Sequence, residues 1–178
     1  EITINDGYIL GKNKIAVRTS VNTTINGGTI ESEKEEGIGE AWGPTSAVLY
    51  VNGGTIKGKT SGILGMRLNM TGGTIQGGTY GINKFDSYGV ITGGTIIGGQ
   101  SGIYSNTTLT VGTNDGILED PKKPIIQGGA YGIQVAGGST NFYDGILKGT
   151  TAGYTGTIAQ IPDATLIKSD EETIEEVL

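Results

Sequence analysis

The sequence has no cysteine and no histidine, and in 178 residues only one tryptophan, two phenylalanines and four prolines. Without cysteine there is no disulfide framework and no thiol nucleophile. Without histidine as well, most nucleophile–base pairs and most transition-metal sites are excluded. Lack of cysteine does not choose a compartment, because bacterial surface proteins and cytosolic proteins both manage without it. Positive charge is scarce too: 12 Lys and Arg stand against 18 Asp and Glu, a net charge of −6. Nucleic acid is not an expected partner, since its phosphates call for a basic stripe. No apolar run approaches the roughly 18 residues needed to span a bilayer, so direct membrane insertion is not expected either. The chain opens on Glu1 without a methionine and is read as a mature or excised piece.

What the sequence does have is glycine, 34 of them. They follow no Gly-X-Y period, which excludes collagen. Regularly spaced Ile, Val and Leu argue against disorder. Residues 70–104 say one sentence twice: Gly72-Gly73-Thr74-Ile75-Gln76-Gly77-Gly78 returns as Gly93-Gly94-Thr95-Ile96-Ile97-Gly98-Gly99, 21 residues on. Taking the aliphatic residue after each glycine turn as an anchor gives Ile9, Ile30, Ile56, Ile75, Ile96, Ile126 and Leu147, with gaps of 21, 26, 19, 21, 30 and 21. A unit of this length cannot bury its own core and must stack.

Each unit holds three short extended runs. One follows the glycine turn, as in Thr74-Ile75-Gln76. A second comes about seven residues later, as in Gly81-Ile82-Asn83. The third precedes the next turn and alternates apolar with polar, as in Leu49-Tyr50-Val51 and Leu109-Thr110-Val111. Runs this short, punctuated by glycine, are strands rather than helices. The expected fold is all-β: a single-stranded right-handed parallel β-helix of about seven rungs, each of roughly 20 residues and three strands, about 35 Å tall at the usual strand spacing.

Several columns follow from this alignment. Asn5, Asn26, Asn52, Thr71 and Thr92 precede the glycine turns and are expected to bond along the axis. Thr29, Thr55, Thr74 and Thr95 form an outward ladder. Two residues after each anchor stand Gly11, Ser32, Gly58, Gly77, Gly98, Gly128 and Gly149, which implies either positive φ or a close backbone turn. Glu31 over Lys57, and Lys12, Glu33 and Lys59 in one column, are expected to make a charge ladder.

Two rungs are long. Glu31–Thr45 carries Glu31, Glu33, Glu35, Glu36 and Glu40 beside Trp42. Gly112–Pro124 interrupts the other. Loops that break a solenoid are the default place for function. Residues 1–163 are read as the repeats and 164–178 as a C-terminal cap, a strand and a short helix opened by Ser169. The first rung shows no cap, so more chain, or a partner meeting that end, is expected there.

The chemistry that remains is that of carboxylates, Lys, Arg and Tyr. Glycoside hydrolysis needs two carboxylates set across one bond. Asp6 and Asp144 share a column at opposite ends, while Asp115 and Asp144, each opening an Asp-Gly-Ile-Leu string, could be neighbours but read first as turn aspartates. A lyase would need a base beside a carboxylate-bound Ca²⁺, and Arg18 and Arg67 show no acidic cluster in their columns. No catalytic residue is assigned. Glu31–Glu40 could supply oxygen ligands to calcium but lacks the Asp/Asn-Gly spacing of calcium loops. The lone threonine column is too narrow for an ice-binding face. Sugar binding asks for exposed rings with polar neighbours. The candidates are Trp42, Tyr50, Tyr88 and Tyr104 as rings, with Asn114, Asp115 and Asp120 as hydrogen-bonding groups.

The ordered set Thr-Val-Gly-Thr-Asn-Asp-Gly (110–116), Pro-Ile-Ile-Gln-Gly-Gly-Ala-Tyr-Gly-Ile (124–133) and Asn-Phe-Tyr-Asp-Gly-Ile-Leu-Lys-Gly (141–149), with the Gly-Gly-Thr-Ile repeats, resembles right-handed, pectate-lyase-like β-helix repeats in large surface proteins of Gram-positive bacteria. The resemblance implies an extracellular, wall-attached or secreted protein of adhesin-like role. Its expected partners are glycans or host and cell-surface proteins, with end-to-end self-association as a further possibility.

Overall fold

A computed structural model of the chain describes residues 1–41, 46–114 and 123–160. The expected strand and helix over 164–178 lie outside the described residues. The rest is an all-β parallel solenoid of about seven turns. Its strands fall into three sheets that the chain visits in rotation, one strand per sheet per rung. Sheet A has eight strands, and sheets B and C have seven each. Every pairing is parallel and joins a strand to its counterpart one rung away.

The core is three columns of side chains. Sheet B contributes all seven anchors in unbroken register, from Ile9 through Ile30, Ile56, Ile75, Ile96 and Ile126 to Leu147. Sheet A contributes Ile4, Ile25, Val51, Met70, Ile91, Val111 and Phe142. Sheet C contributes Val17, Ile38, Ile63, Ile82, Ile103, Ile133 and Tyr154. From the second to the sixth rung these residues are fully buried, whereas Ile4, Ile9, Val17 and Tyr154 at the ends are half-buried. Each buried aliphatic is worth about 1.5–3 kcal/mol. The repeat spacing is thus the spacing of core residues, and it sets the stack.

The turn from sheet A to sheet B is three residues long in six rungs: 5–7, 26–28, 52–54, 71–73, 92–94 and 143–145. Its last residue takes positive φ, as at Gly28 (78°), Gly54 (75°) and Gly73 (82°), where L side chains are strained. Its first residue carries the expected ladder. The Asn26 side-chain amide donates to Asn5 Oδ1 at 2.8 Å, Asn52 donates to Asn26 Oδ1 at 2.9 Å, and Thr71 Oγ1 donates to Asn52 Oδ1 at 3.1 Å. The ladder stops at Thr92, whose hydroxyl turns to the Met70 carbonyl at 3.4 Å.

The glycine column after the anchors is set by space, not by φ. A Cβ on Gly58 or Gly77 would lie 1.7 Å from the carbonyl oxygen of Ser61 or Tyr80. At these glycines the chain doubles back so tightly between sheets B and C that a side chain would strike it, whereas the five-residue turn of the second rung admits Ser32, whose hydroxyl donates to the Lys14 carbonyl at 2.9 Å. None of these column glycines has positive φ.

The charge ladder differs from expectation. Glu31 and Lys57 are in register, but neither they nor the Lys12, Glu33, Lys59 column closes to ion-pair distance among the described residues. Glu31 instead accepts from the Tyr8 hydroxyl at 2.9 Å. The pair that forms is Lys14–Glu35, at 2.8 Å. The first two rungs have five-residue turns between sheets B and C, 12–16 and 33–37. Lys14 and Glu35 occupy equivalent places in those turns. The surplus of the second rung is therefore divided between 33–37 and the link 41–47 from sheet C to sheet A.

Candidate functional site

The two long interruptions border the same sheet. The link 41–47 enters sheet A from sheet C, and 112–124 leaves sheet A for sheet B. They lie at opposite edges of it. Trp42, Asp115 and Asp120 fall outside the described residues.

Of the other candidates, Tyr50 and Tyr88 share the outer face of sheet A. Tyr50 lies on strand Val48–Val51, where Leu49 and Val51 point into the core. Tyr88 begins strand Tyr88–Ile91, with Ile91 in the core. Between them runs Arg67–Met70, whose outward residues are Arg67 and Asn69. The registers Arg67↔Val48 and Asn69↔Tyr50 on one side, and Asn69↔Val90 on the other, arrange six half-buried side chains as a grid of three rungs by two positions. Val48 and Tyr50 form its lowest row, Arg67 and Asn69 the middle, Tyr88 and Val90 the top. The two tyrosines occupy diagonal corners around the Arg67 and Asn69 row.

Tyr104 sits elsewhere, on the outer face of sheet C between Asn83 and Gln134. Its ring packs 5.4 Å from that of Tyr80, tilted by 45°. Asn114 is exposed at the sheet A to sheet B edge.

The grid depends on the corner 84–87, which the sequence reading did not single out. Lys84 has φ 63°, the one positive-φ non-glycine among the described residues. That left-handed turn sends Phe85 inward, where it is 2 % exposed. The inward column of sheet A beside it reads Leu68, Gly89, Leu109. Gly89 leaves the space that Phe85 fills, and a Cβ there would lie 2.5 Å from Phe85 Cε1. A phenyl ring from the corner thus replaces the missing column side chain.

With Phe85 anchored, Asp86 is fixed over the neighbouring rung. Its Oδ2 accepts from Arg67 Nε at 3.0 Å and from the Ser87 hydroxyl at 3.3 Å. On the other side, Thr107 Oγ1 donates to the Ser87 carbonyl at 2.6 Å. The corner is therefore tied to the rung below and the rung above. The Arg67 and Asp86 side chains are 29 % and 12 % exposed. A pair this covered is held in one geometry more firmly than a surface pair. A sequence signal for it existed: aligning Val48-Leu49-Tyr50-Val51, Arg67-Leu68-Asn69-Met70 and Tyr88-Gly89-Val90-Ile91 puts the six residues together.

The glutamates of 31–40 do not form one acidic loop. Glu31 faces out from sheet B and bonds Tyr8, Glu35 bonds Lys14, and Glu36 accepts from Thr60 at 2.9 Å. Among the described residues no three carboxylates converge as a metal site would require. An open groove of about 450 Å³ lies along Glu31, Glu33, Lys57, Lys59 and Gln76. Asp6 and Asp144 occupy the same place in their turns, six rungs apart, about 29 Å at the strand spacing.

No protein-family model, curated protein or solved structure matches this chain.

Proposed function

We propose that this chain is a non-catalytic adhesion module of an extracellular bacterial protein, surface-attached or secreted, with the outer face of sheet A as its contact surface. The observation that carries this reading is the grid. It sets two rings, an amide and a guanidinium on one face of a rigid sheet; the Tyr50, Asn69 and Tyr88 side chains make no hydrogen bond among the described residues, and Arg67 spends only its Nε, on Asp86. Glycans, or the glycosylated surface of a host cell, are the partners such a face suits. Rings stack on the apolar side of a sugar and polar groups meet its hydroxyls. The carboxylate that reaches the grid, Asp86, is committed to Arg67, whereas glycoside hydrolysis works through two carboxylates held about 5–10 Å apart. The repeat sequences support a right-handed, pectate-lyase-like helix from a Gram-positive surface protein, since that is what they resemble.

A glycan array that includes host mucin glycans tests the reading, and hits that weaken in a Tyr50→Ala, Tyr88→Ala double variant are expected. Incubation with pectins and uronates is expected to yield neither unsaturated product absorbance nor new reducing ends. Release of either would replace adhesion by catalysis.

A further inference from the structure

We infer that the sheet A grid selects neutral sugars, binding adjacent hydroxyls through the Arg67–Asp86 pair with Tyr50 and Tyr88 as flanking platforms. The inference rests on the glycan-adhesion reading and gives it a ligand class.

Charge at the grid favours a neutral ligand. Arg67 and Asp86 are joined at 3.0 Å, so the centre of the grid has no net charge. The other grid residues, Val48, Tyr50, Asn69, Tyr88 and Val90, carry none. An acidic sugar drawn to Arg67 would bring its carboxylate against that of Asp86. A cationic sugar drawn to Asp86 would meet the guanidinium. A neutral ligand escapes both repulsions.

The open hydrogen-bonding capacity suits adjacent hydroxyls. A guanidinium has five N–H donors in a fixed fork. Arg67 uses Nε toward Asp86. Its Nη groups have no protein partner among the described residues and are not sealed from solvent. Asp86 accepts both of its side-chain hydrogen bonds on Oδ2, which leaves Oδ1 as an open acceptor. A donor group and an acceptor are therefore set side by side. Two adjacent sugar hydroxyls match them: one accepts from Nη while the other donates to Oδ1. Asn69, on the same row, offers a further donor and acceptor. The Tyr50 and Tyr88 hydroxyls likewise have no partner among the described residues.

Shape sets the length of the ligand. Tyr50 and Tyr88 stand two rungs apart, about 10 Å along the axis. Two linked sugar rings reach across that span and a single ring does not. Val48 and Val90 complete the diagonal with apolar surface. Half-buried rings on a sheet lose little freedom on binding. The preferred ligand is thus a neutral disaccharide unit or a longer chain of such units.

The test is calorimetric titration of the chain with cellobiose, lactose and maltose as neutral probes, digalacturonate as the acidic probe and the glucosamine dimer as the cationic one. At least one neutral disaccharide is expected to bind ten-fold or more tightly than both charged probes. Tyr88→Ala is expected to weaken it at least ten-fold. Arg67→Lys, which keeps the charge but loses the fork, should weaken it comparably, while Gln76→Ala on sheet B leaves it unchanged. Thermal midpoints verify that each variant is folded, and Tyr50→Ala replaces any that is not. Tighter binding of digalacturonate or of the glucosamine dimer, lost in the same variants, would overturn the neutral-sugar assignment and leave glycan adhesion standing. Equal binding by wild type and grid variants would overturn the site, and absence of binding by all five probes and on the array would overturn both readings.

Discussion

The two edges of sheet A are built on opposite principles. Where the chain leaves the sheet, six turns of three residues end on a glycine at positive φ, and the first four are joined along the axis by Asn5, Asn26, Asn52 and Thr71. Where it enters, the links run from two residues to seven, and each solves its own packing problem. The first edge uses its side chains to hold rungs together. The second includes the corner 84–87, which fixes a phenyl ring in the core and a carboxylate beside Arg67 on the face. Repetition marks what stacking requires, and departure from it marks surface that is free to do something else.

The sharpest test of this contrast is at Phe85. Phe85→Ala should cost about 3–5 kcal/mol, because it empties a buried site that neighbouring rungs cannot refill. Adding Gly89→Leu places a leucine between Leu68 and Leu109, completes that inward column and should recover at least half of the loss. Urea unfolding of both variants measures it. A double variant no more stable than Phe85→Ala would show that the ring does not stand in for the column residue.

Gly77→Ala should come next, at about 3 kcal/mol, since its Cβ would lie 1.7 Å from the Tyr80 carbonyl oxygen. Gly65→Ala, on the entering edge, meets nothing nearer than Glu40 Oε2 at 3.8 Å and faces only its φ of 68°. It should cost about 1 kcal/mol. Similar losses at the two positions would erase the distinction between edges.

Asn52→Ala cuts the ladder on both sides, toward Asn26 and toward Thr71. A loss of about 1 kcal/mol is expected for exposed hydrogen bonds of this kind. A shift in urea midpoint no larger than that of Gln76→Ala would mean the ladder fixes register without adding stability.

The smallest effect concerns pH. The hydrogen bond from Lys14 lowers the Glu35 pKa below its ordinary 4.5. A lowered carboxylate pKa favours the folded state above the ordinary value, and that contribution disappears as pH falls through the folded value. Stability measured at pH 7, 4.5 and 3 should therefore decline slightly more in the wild type than in Glu35→Gln. Parallel declines would show that the pair contributes nothing, as many exposed pairs do.

Most of the fold was legible because a parallel solenoid writes its register into the sequence. All seven anchors align as their spacing implied, and the Asn–Thr ladder forms through Thr71. The charge columns are in register as read, but they do not pair: Glu31 accepts from Tyr8 instead of meeting Lys57, and in the five-residue turns the side chains that meet, Lys14 and Glu35, lie two residues beyond Lys12 and Glu33. The glycine column was ambiguous between conformation and space, and only the backbone path decided it. The grid was harder to see. Tyr50, Arg67 and Tyr88 look unrelated in the sequence, and Phe85 reads as a loop residue until Gly89 is recognised as a gap in a core column. Residues 70–104, which read as the most regular stretch, contain the corner that breaks the pattern.

The proposed contact surface is the outer face of sheet A, and the outward ladder of sheet B serves only the stack. Amide chemical-shift mapping during titration with the best neutral disaccharide tests it most directly. Perturbations confined to residues 48–51, 67–70 and 86–91 are the expected result. Perturbations centred on 29–32, 55–58 and 74–77 would place the ligand on the sheet B ladders and contradict the account.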